Sequence, residues 1–264
     1  MIGDIPVSAM IITFNEERMI ERALRSLMWA DEIVVVDSFS TDKTVEICGK
    51  YTDRVYQREF PGYEKQYSYA LSLTKHEWVV TLDGDEALTD ATIAEIRREL
   101  ENHDVQCDAF ALRRKTFLID RWIVHSGWYP QYKVRLFKKS SGAYGGSDPH
   151  VSFHCSGRVK KLNGDILHWT YPEGLHSLTN TSNKFSTIIA NQRLAKGRPF
   201  SVAMMLLAPA GEFLKKYFWK RGFLDGMPGL FLAVGSAYYV FCKWAKMWDI
   251  THRKTGFEGD PEKQ

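Results

Sequence analysis

Apolar residues first gather in short unbroken runs: Val7 to Thr13, Ile33-Val34-Val35-Val36 and Trp78 to Leu82, each rich in β-branched side chains. Runs of this length without polar alternation predict strands buried on both faces of a sheet. Between the runs, apolar positions recur at helical spacing, with Met19, Ile20, Ala23, Leu24, Leu27 and Met28 after the first and Tyr67, Ala70, Leu71 and Thr74 before the third. Asn15 reads as the N-cap of the first helix, with Glu16 and Glu17 in its first turn. A second helix is predicted from about Lys43 to Lys50, a strand over Arg54 to Gln57, and a further helix near Thr89. Strands alternating with short helices imply right-handed crossovers and a parallel sheet, with ligands outside the carboxyl ends of the strands.

Three of those ends are polar: Thr13 to Glu17, Asp37 to Asp42, and Asp83-Gly84-Asp85. Together they offer a ring for stacking on a base (Phe14), an acid able to accept from base and ribose donors (Asp37), and paired carboxylates. A hard divalent cation is held by one or two protein carboxylates with phosphate oxygens completing its shell, which suits Asp83 and Asp85. Read singly, Asn15 is a plain cap, Phe14 a core residue, and Asp37, Asp83 and Asp85 turn acids; their joint occurrence favours a site. Neither G-x-G-x-x-G after the first strand nor G-x-x-x-x-G-K-[ST] occurs, so the dinucleotide and P-loop phosphate cradles are missing and a metal must neutralise the phosphates.

The runs Met10-Ile11-Ile12-Thr13-Phe14-Asn15-Glu16-Glu17, Ala30-Asp31-Glu32-Ile33-Val34-Val35-Val36-Asp37-Ser38, Ser40-Thr41-Asp42-Lys43-Thr44 and Leu82-Asp83-Gly84-Asp85-Glu86 resemble family 2 glycosyltransferases of GT-A fold. Ser126-Gly127-Trp128-Tyr129-Pro130, Val134-Arg135-Leu136-Phe137 and Arg221-Gly222-Phe223-Leu224-Asp225-Gly226 are similar to the branch that includes bacterial lipopolysaccharide core glucosyltransferases. The resemblance implies an α/β fold with a Rossmann-like, mostly parallel sheet and helices on both faces. It implies a UDP-sugar donor, its nucleotide held by Thr13, Phe14, Asn15, Glu17 and Asp37 with Asp83 and Gly84 alongside, and Mg2+ or Mn2+ bound on the diphosphate by Asp85. Two departures stand out. Gln66-Tyr67-Ser68 replaces a Gln-Lys-Asn, with Lys65 one position earlier as the substitute, and Asp148-Pro149-His150-Val151 lacks the His-Glu after its Asp-Pro. The general base is therefore open between Asp148 and His150.

From Ala109 to Tyr171 the chain is strand-rich and aromatic. Arg113, Arg114, Trp122, His125, Trp128, Tyr129, Tyr132 and Arg135 would suit a sugar-phosphate acceptor, or else form an aromatic core with surface arginines. His150, His154, His168 and His176 lack paired ligand spacing, which argues against zinc. The four cysteines lie far apart, as expected of reduced thiols, and Met1 to Phe14 has no basic n-region of a secretory signal, so the expectation is a catalytic part facing the cytosol. A net charge of +3 gives no case for nucleic acid, but Arg193 to Lys254 carries 11 Lys+Arg against 3 Asp+Glu, leaving −5 elsewhere. That basic quarter holds apolar blocks Val202 to Ala210 and Met227 to Cys242, the second broken by Pro228, Gly229 and Gly235 and short of a span. With Lys215, Lys216, Tyr217, Trp219, Lys220, Arg221, Lys243, Trp244, Lys246 and Trp248 around them, the blocks predict an amphipathic helical membrane-associating segment. A helix pair packed on the catalytic domain or in a homodimer is the alternative.

The expected organisation is a GT-A domain over residues 1–195, with donor half 1–108 and acceptor half 109–195, followed by a membrane-interface tail over 196–264. The expected activity is inverting, metal-dependent transfer of a hexose, glucose first, from a UDP-sugar to a lipid-linked saccharide such as lipopolysaccharide core, at the cytoplasmic face of the bacterial inner membrane. A polyprenyl-phosphate acceptor, or a non-catalytic membrane module of the same fold, are the other readings.

Overall fold

The computed structural model describes residues 5–101, 106–148, 150–170 and 174–253. In chain order these form β1 (Val7–Thr13), α1 (Ile20–Leu27), β2 (Glu32–Asp37), α2 (Thr44–Cys48), β3 (Val55–Gln57), α3 (Tyr63–Leu73), β4 (Trp78–Asp83), β5 (Glu86–Leu88) and α4 (Asp90–Glu101). There follow β6 (Ala109–Leu118), β7 (Arg121–Ile123), β8 (Gln131–Lys138), β9 (Gly142–Ser147), β10 (His150–Cys155), β11 (Val159–Trp169), α5 (Leu175–Ala195), α6 (Val202–Leu214) and α7 (Gly226–His252). The chain divides into two compact units, Met1–Pro172 and Glu173–Gln264. The division falls ahead of α5, whose Ala190 and Leu194 pack on Trp244 and Met247 of α7.

In the first unit the strand order is β3-β2-β1-β4-β8-β6-β11-β5, with β7 on β6, and β9 and β10 form a separate hairpin. β3, β2, β1 and β4 make the expected parallel ladder. Beyond them the sheet is mixed: β8 runs antiparallel between β4 and β6, β11 is parallel to β6, and β5 is antiparallel to β11. Every residue of β1 is buried. Val7, Ala9 and Ile11 join a core with Ile20, Leu24 and Leu27 of α1 and Ile96 and Leu100 of α4. Met10 and Ile12 face the other way, onto Tyr67 and Ala70 of α3 and Tyr144 and Phe153 of the hairpin. Two covered faces explain the missing polar alternation, and each buried large side chain contributes about 1.5–3 kcal/mol.

Helix α1 begins at Ile20 and not at Asn15. Asn15 sits at φ 54°, and its Oδ1 accepts the Thr41 N–H at 2.8 Å, so its amide ties the β1 loop to the β2 loop instead of capping a helix.

In the second unit α5 and α6 pack on α7. The Lys246 ammonium fastens α7 to α5, reaching Asn183 O at 2.5 Å, Asn183 Oδ1 at 2.6 Å, Thr187 Oγ1 at 2.7 Å and Ser186 Oγ at 2.9 Å. Helix α7 runs unbroken for 27 residues through the expected interruptions. Pro228 lies in its first turn, where the missing N–H removes no helical bond. Gly229 and Gly235 are close approaches: a Cβ would stand 1.9 Å from Gly222 O and 3.0 Å from Leu178 Cδ2 respectively. Among the described residues no helix is long and apolar enough to cross a membrane.

Gly229→Ala weighs two opposed effects. Alanine favours a helix interior over glycine by about 1 kcal/mol, whereas overpacking costs about 1–3 kcal/mol, and the obstacle is a backbone carbonyl that does not swing aside. Urea denaturation is expected to show a lower midpoint for the variant; a raised midpoint would contradict the close approach.

Candidate active site

The carboxyl ends of β1, β2 and β4 lie side by side, with Thr13 in register with Asp37 and Ile12 with Asp83. Phe14 and Asn15 leave the end of β1 exposed. Asp37 is fully buried at the end of β2. Its Oδ2 accepts from Ser40 N–H at 2.9 Å and Gln57 Nε2 at 3.3 Å, and its Oδ1 accepts from the Ser40 hydroxyl. Ser40 Oγ in turn accepts the Asn15 N–H at 2.8 Å, and Glu17 Oε2 accepts the Lys43 N–H at 3.1 Å. Asp37, Asn15 and Glu17 thus knit the two loops together, and Asp37 carries more structure than a strand-end turn acid would.

Thr13 Oγ1 and Gln66 Oε1 are buried without a hydrogen-bond partner among the described residues. Gln66 Nε2 donates to Ser38 Oγ at 3.2 Å, beside the same strand ends. Lys65, by contrast, is an exposed residue of α3 whose carbonyl accepts from Arg58. The residue that reaches the β2 loop is therefore Gln66.

Gly84 lies against the β1 loop, since a Cβ there would come within 3.0 Å of Glu16 Cγ and 3.1 Å of Thr13 Oγ1. The acids on either side of Gly84 differ. Asp83 accepts from the Tyr67 hydroxyl and pairs with Arg135 Nη2 at 2.6 Å. Burial works to raise its carboxyl, but Arg135 and Tyr67 outweigh that and hold it below the usual carboxylate range. Asp85 has its Oδ2 3.3 Å from His168 Nε2. His168 Nδ1 lies 3.2 Å from Thr116 Oγ1. With Nδ1–H donated to that hydroxyl, the Nε2 lone pair faces a carboxylate, an arrangement complementary to a cation. Among the described residues no three His, Cys, Asp or Glu side chains gather as a metal cage. Two protein groups fit a cation whose remaining ligands are phosphate oxygens.

The β9–β10 hairpin brings Asp148 to the same edge. Its Oδ1 accepts the Tyr63 N–H at 3.2 Å, at the first residue of α3. The Tyr63 phenol is pushed up by burial and then by the charges of Asp83, Asp148 and Asp85, so these acids share one neighbourhood. His150 opens β10 as an exposed residue, and Pro149 between them lies outside the described residues. Between β6 and β11, Arg113 pairs with Asp165 at 3.0 Å and lies over Tyr129, whose hydroxyl donates to Asp165 at 3.0 Å. Arg135 is buried in ion pairs and is not exposed for an acceptor phosphate.

The profile described as Glycosyl transferase family 2 matches residues 8–167. The chain belongs to this family. It is 29% identical over 255 residues to the lipopolysaccharide core biosynthesis glycosyltransferase LpsC of Rhizobium meliloti, covering 94% of each chain. It is 30% identical over 257 residues to an uncharacterised glycosyltransferase of Rickettsia typhi, covering 93% of this chain and 87% of the relative. Among solved structures, S. aureus TarS 1-349 aligns over 95% of this chain and 92% of its own at 16% identity and a TM-score of 0.47. As a family 2 glycosyltransferase the chain has a GT-A-like fold, and the strand ends described above lie within the matched region or directly beside it.

Two residues of this edge escaped the sequence reading. His168 was weighed only for zinc, because nothing local reveals that β11 runs alongside β5 and sets His168 opposite Glu86. Glu16 and Glu17 both read as first-turn helix acids, and the family resemblance singled out Glu17. Yet Glu16 is the one that packs on Gly84, where burial first, and then the charges of Asp85, Asp42 and Asp83, lift its carboxyl from an ordinary 4.5 to about 7. Folded Glu16 therefore keeps its proton up to about pH 7 while the unfolded chain releases it near 4.5. The folded state binds the extra proton between those values, so stability falls as pH rises through that window. Glu16→Gln is expected to flatten this part of the profile in metal-free protein, with the gain relative to the parent growing from about pH 5 to about pH 8 in urea titrations. Parallel profiles for the two proteins would refute it.

Proposed function

We propose that the chain transfers a hexose from a UDP-sugar, with inversion, to a lipid-linked saccharide at the cytoplasmic face of the inner membrane. The name of the Rhizobium meliloti relative supports lipopolysaccharide core as the acceptor class, and glucose is the sugar that the sequence resemblance implies. The observation that carries the reading is the convergence at one sheet edge of the unpartnered Thr13 Oγ1, the side-chain-free Gly84 and the Asp85–His168 pair.

On this reading Phe14 stacks on the uracil, while Asp37 and Asn15 hold the two loops that flank the ribose, with Glu17 supporting them and Lys65 at the rim. Asp85 and His168 would hold Mg2+ or Mn2+, which supplies positive charge against the departing diphosphate. Asp83, engaged by Tyr67 and Arg135, supports that pair from behind. Asp148 takes the proton of the acceptor hydroxyl, whose oxygen attacks the anomeric carbon as the bond to the diphosphate breaks and its electrons leave with UDP. His150 is the alternative base.

A panel of UDP-sugars, assayed for UDP release with and without Mn2+, tests this reading in the parent, Asp85→Ala, Asp148→Asn and His150→Gln. Asp85→Ala is expected to lose metal-dependent turnover. Asp148→Asn keeps an acceptor for the Tyr63 N–H and is expected to lose transfer by roughly 10²–10⁴-fold with UDP affinity retained. Normal turnover in Asp85→Ala would overturn the metal assignment. If neither Asp148→Asn nor His150→Gln slows transfer, an acceptor that is already a phosphate anion takes precedence.

The second unit supports membrane attachment. Helix α6 has no buried residue, and Leu206, Leu207 and Trp219 are 62%, 70% and 83% exposed. Lys215, Lys216, Lys220 and Arg221 interleave with Tyr217, Phe218 and Trp219 along the turn that follows, the mixture suited to an anionic headgroup layer. Co-sedimentation with anionic liposomes is expected to weaken with salt without vanishing, because salt screens charge but not buried apolar area. Protein that ignores anionic liposomes at low salt and runs as a dimer would assign the face to a second copy.

A further inference from the structure

The turn carrying Asp85 is held by a residue from a different strand. The ladder between β6 and β8 pairs Phe110 with Leu136 and then Ala111 with Val134, so Arg135 is the extra residue of a β-bulge. Bulges re-aim side chains, and this one sends Arg135 toward the end of β4. There Arg135, 8% exposed as a residue, places a single nitrogen, Nη2, 2.6 Å from Asp83 Oδ2 and 2.7 Å from Glu86 Oε2. Glu86 Oε2 also accepts the Asp83 N–H at 3.2 Å. Asp83 and Glu86 are the last residue of β4 and the first of β5, and only Gly84 and Asp85 lie between them. The Asp85 carbonyl accepts the Trp169 N–H at 3.1 Å, next to His168 on β11.

We infer that Arg135 is a positioning residue that staples both ends of the Asp83–Glu86 turn and so fixes where the Asp85 carboxylate meets His168. One guanidinium pairs with both inward acids, Arg114 Nη1 stands 3.8 Å from Glu86 Oε1 as well, and the outward acid of the turn is left to face a ligand. Asp83 is on this account an anchor of the turn and not a metal ligand. The inference rests on the reading of Asp85 as the cation-facing carboxylate, and its test separates the two.

Arg135→Lys keeps the charge, but its shorter side chain withdraws the nitrogen from between the two carboxylates. Two measurements decide: UDP affinity by calorimetry with and without Mn2+, and amide hydrogen exchange over residues 79–90. Positioning predicts unchanged metal-free UDP affinity, a loss of about 10- to 100-fold in the metal-dependent gain, and faster exchange confined to the turn. An undiminished metal-dependent gain overturns the inference. So does accelerated exchange across the whole sheet with loss of metal-free affinity, the mark of general loosening. If the parent itself shows no metal-dependent gain, the metal reading falls, and exchange at the turn alone decides the staple. Should Arg135→Lys fail to fold, Glu86→Gln, which keeps the shape and removes one of the two charges, is judged by the same readouts.

Discussion

The catalytic unit depends on β1 being buried on both faces. A strand with no solvent-facing side has nowhere to place a charge except at its ends, and parallel neighbours bring their carboxyl ends to one edge. Thr13 stands in register with Asp37, and its chain neighbour Ile12 with Asp83, for that reason, although 24 residues separate Thr13 from Asp37 and 46 separate Asp37 from Asp83. Both flanking cores, one closed by α1 and α4 and the other by α3 and the β9–β10 hairpin, serve to keep that edge in place.

Crowding acids at one edge raises an electrostatic problem, since Glu16, Asp42, Asp83, Asp85 and Glu86 all converge there. The protein meets it unevenly. Arg135 and Tyr67 hold Asp83 ionised, while Glu86, fully enclosed, is lifted by burial in spite of Arg135. Glu16 is raised by burial and its neighbours. Lys133 on β8 is pulled down by burial and then by Arg114 and Arg135, so positive charge is crowded too. The edge is thus an acidic patch backed by a basic one.

Much of this was legible in the residues. The strand runs and their polar ends follow from local pattern, because buried parallel strands leave a continuous apolar signature. What stayed hidden was long-range. That Arg135 would turn inward depends on a bulge in the β6–β8 ladder, and that His168 would meet Asp85 depends on β11 reaching β5; neither pairing has a local signal. Asn15 misled for a related reason, since its amide serves a loop 26 residues away and not the helix it precedes. The glycines of α7 looked like breaks because sequence shows flexibility but not proximity, and here they let backbone and side chains come close.

The position of Asp148 has its own dependence on an absent side chain. A Cβ at Gly62 would stand 2.9 Å from Asp148 Oδ2, while Oδ1 holds the first N–H of α3. The hairpin loop therefore rests against a helix terminus that accommodates a carboxylate only because residue 62 is bare. A change at that distant position would displace the loop tip and uncap α3 together, so the hairpin loop and the start of α3 are mechanically one piece.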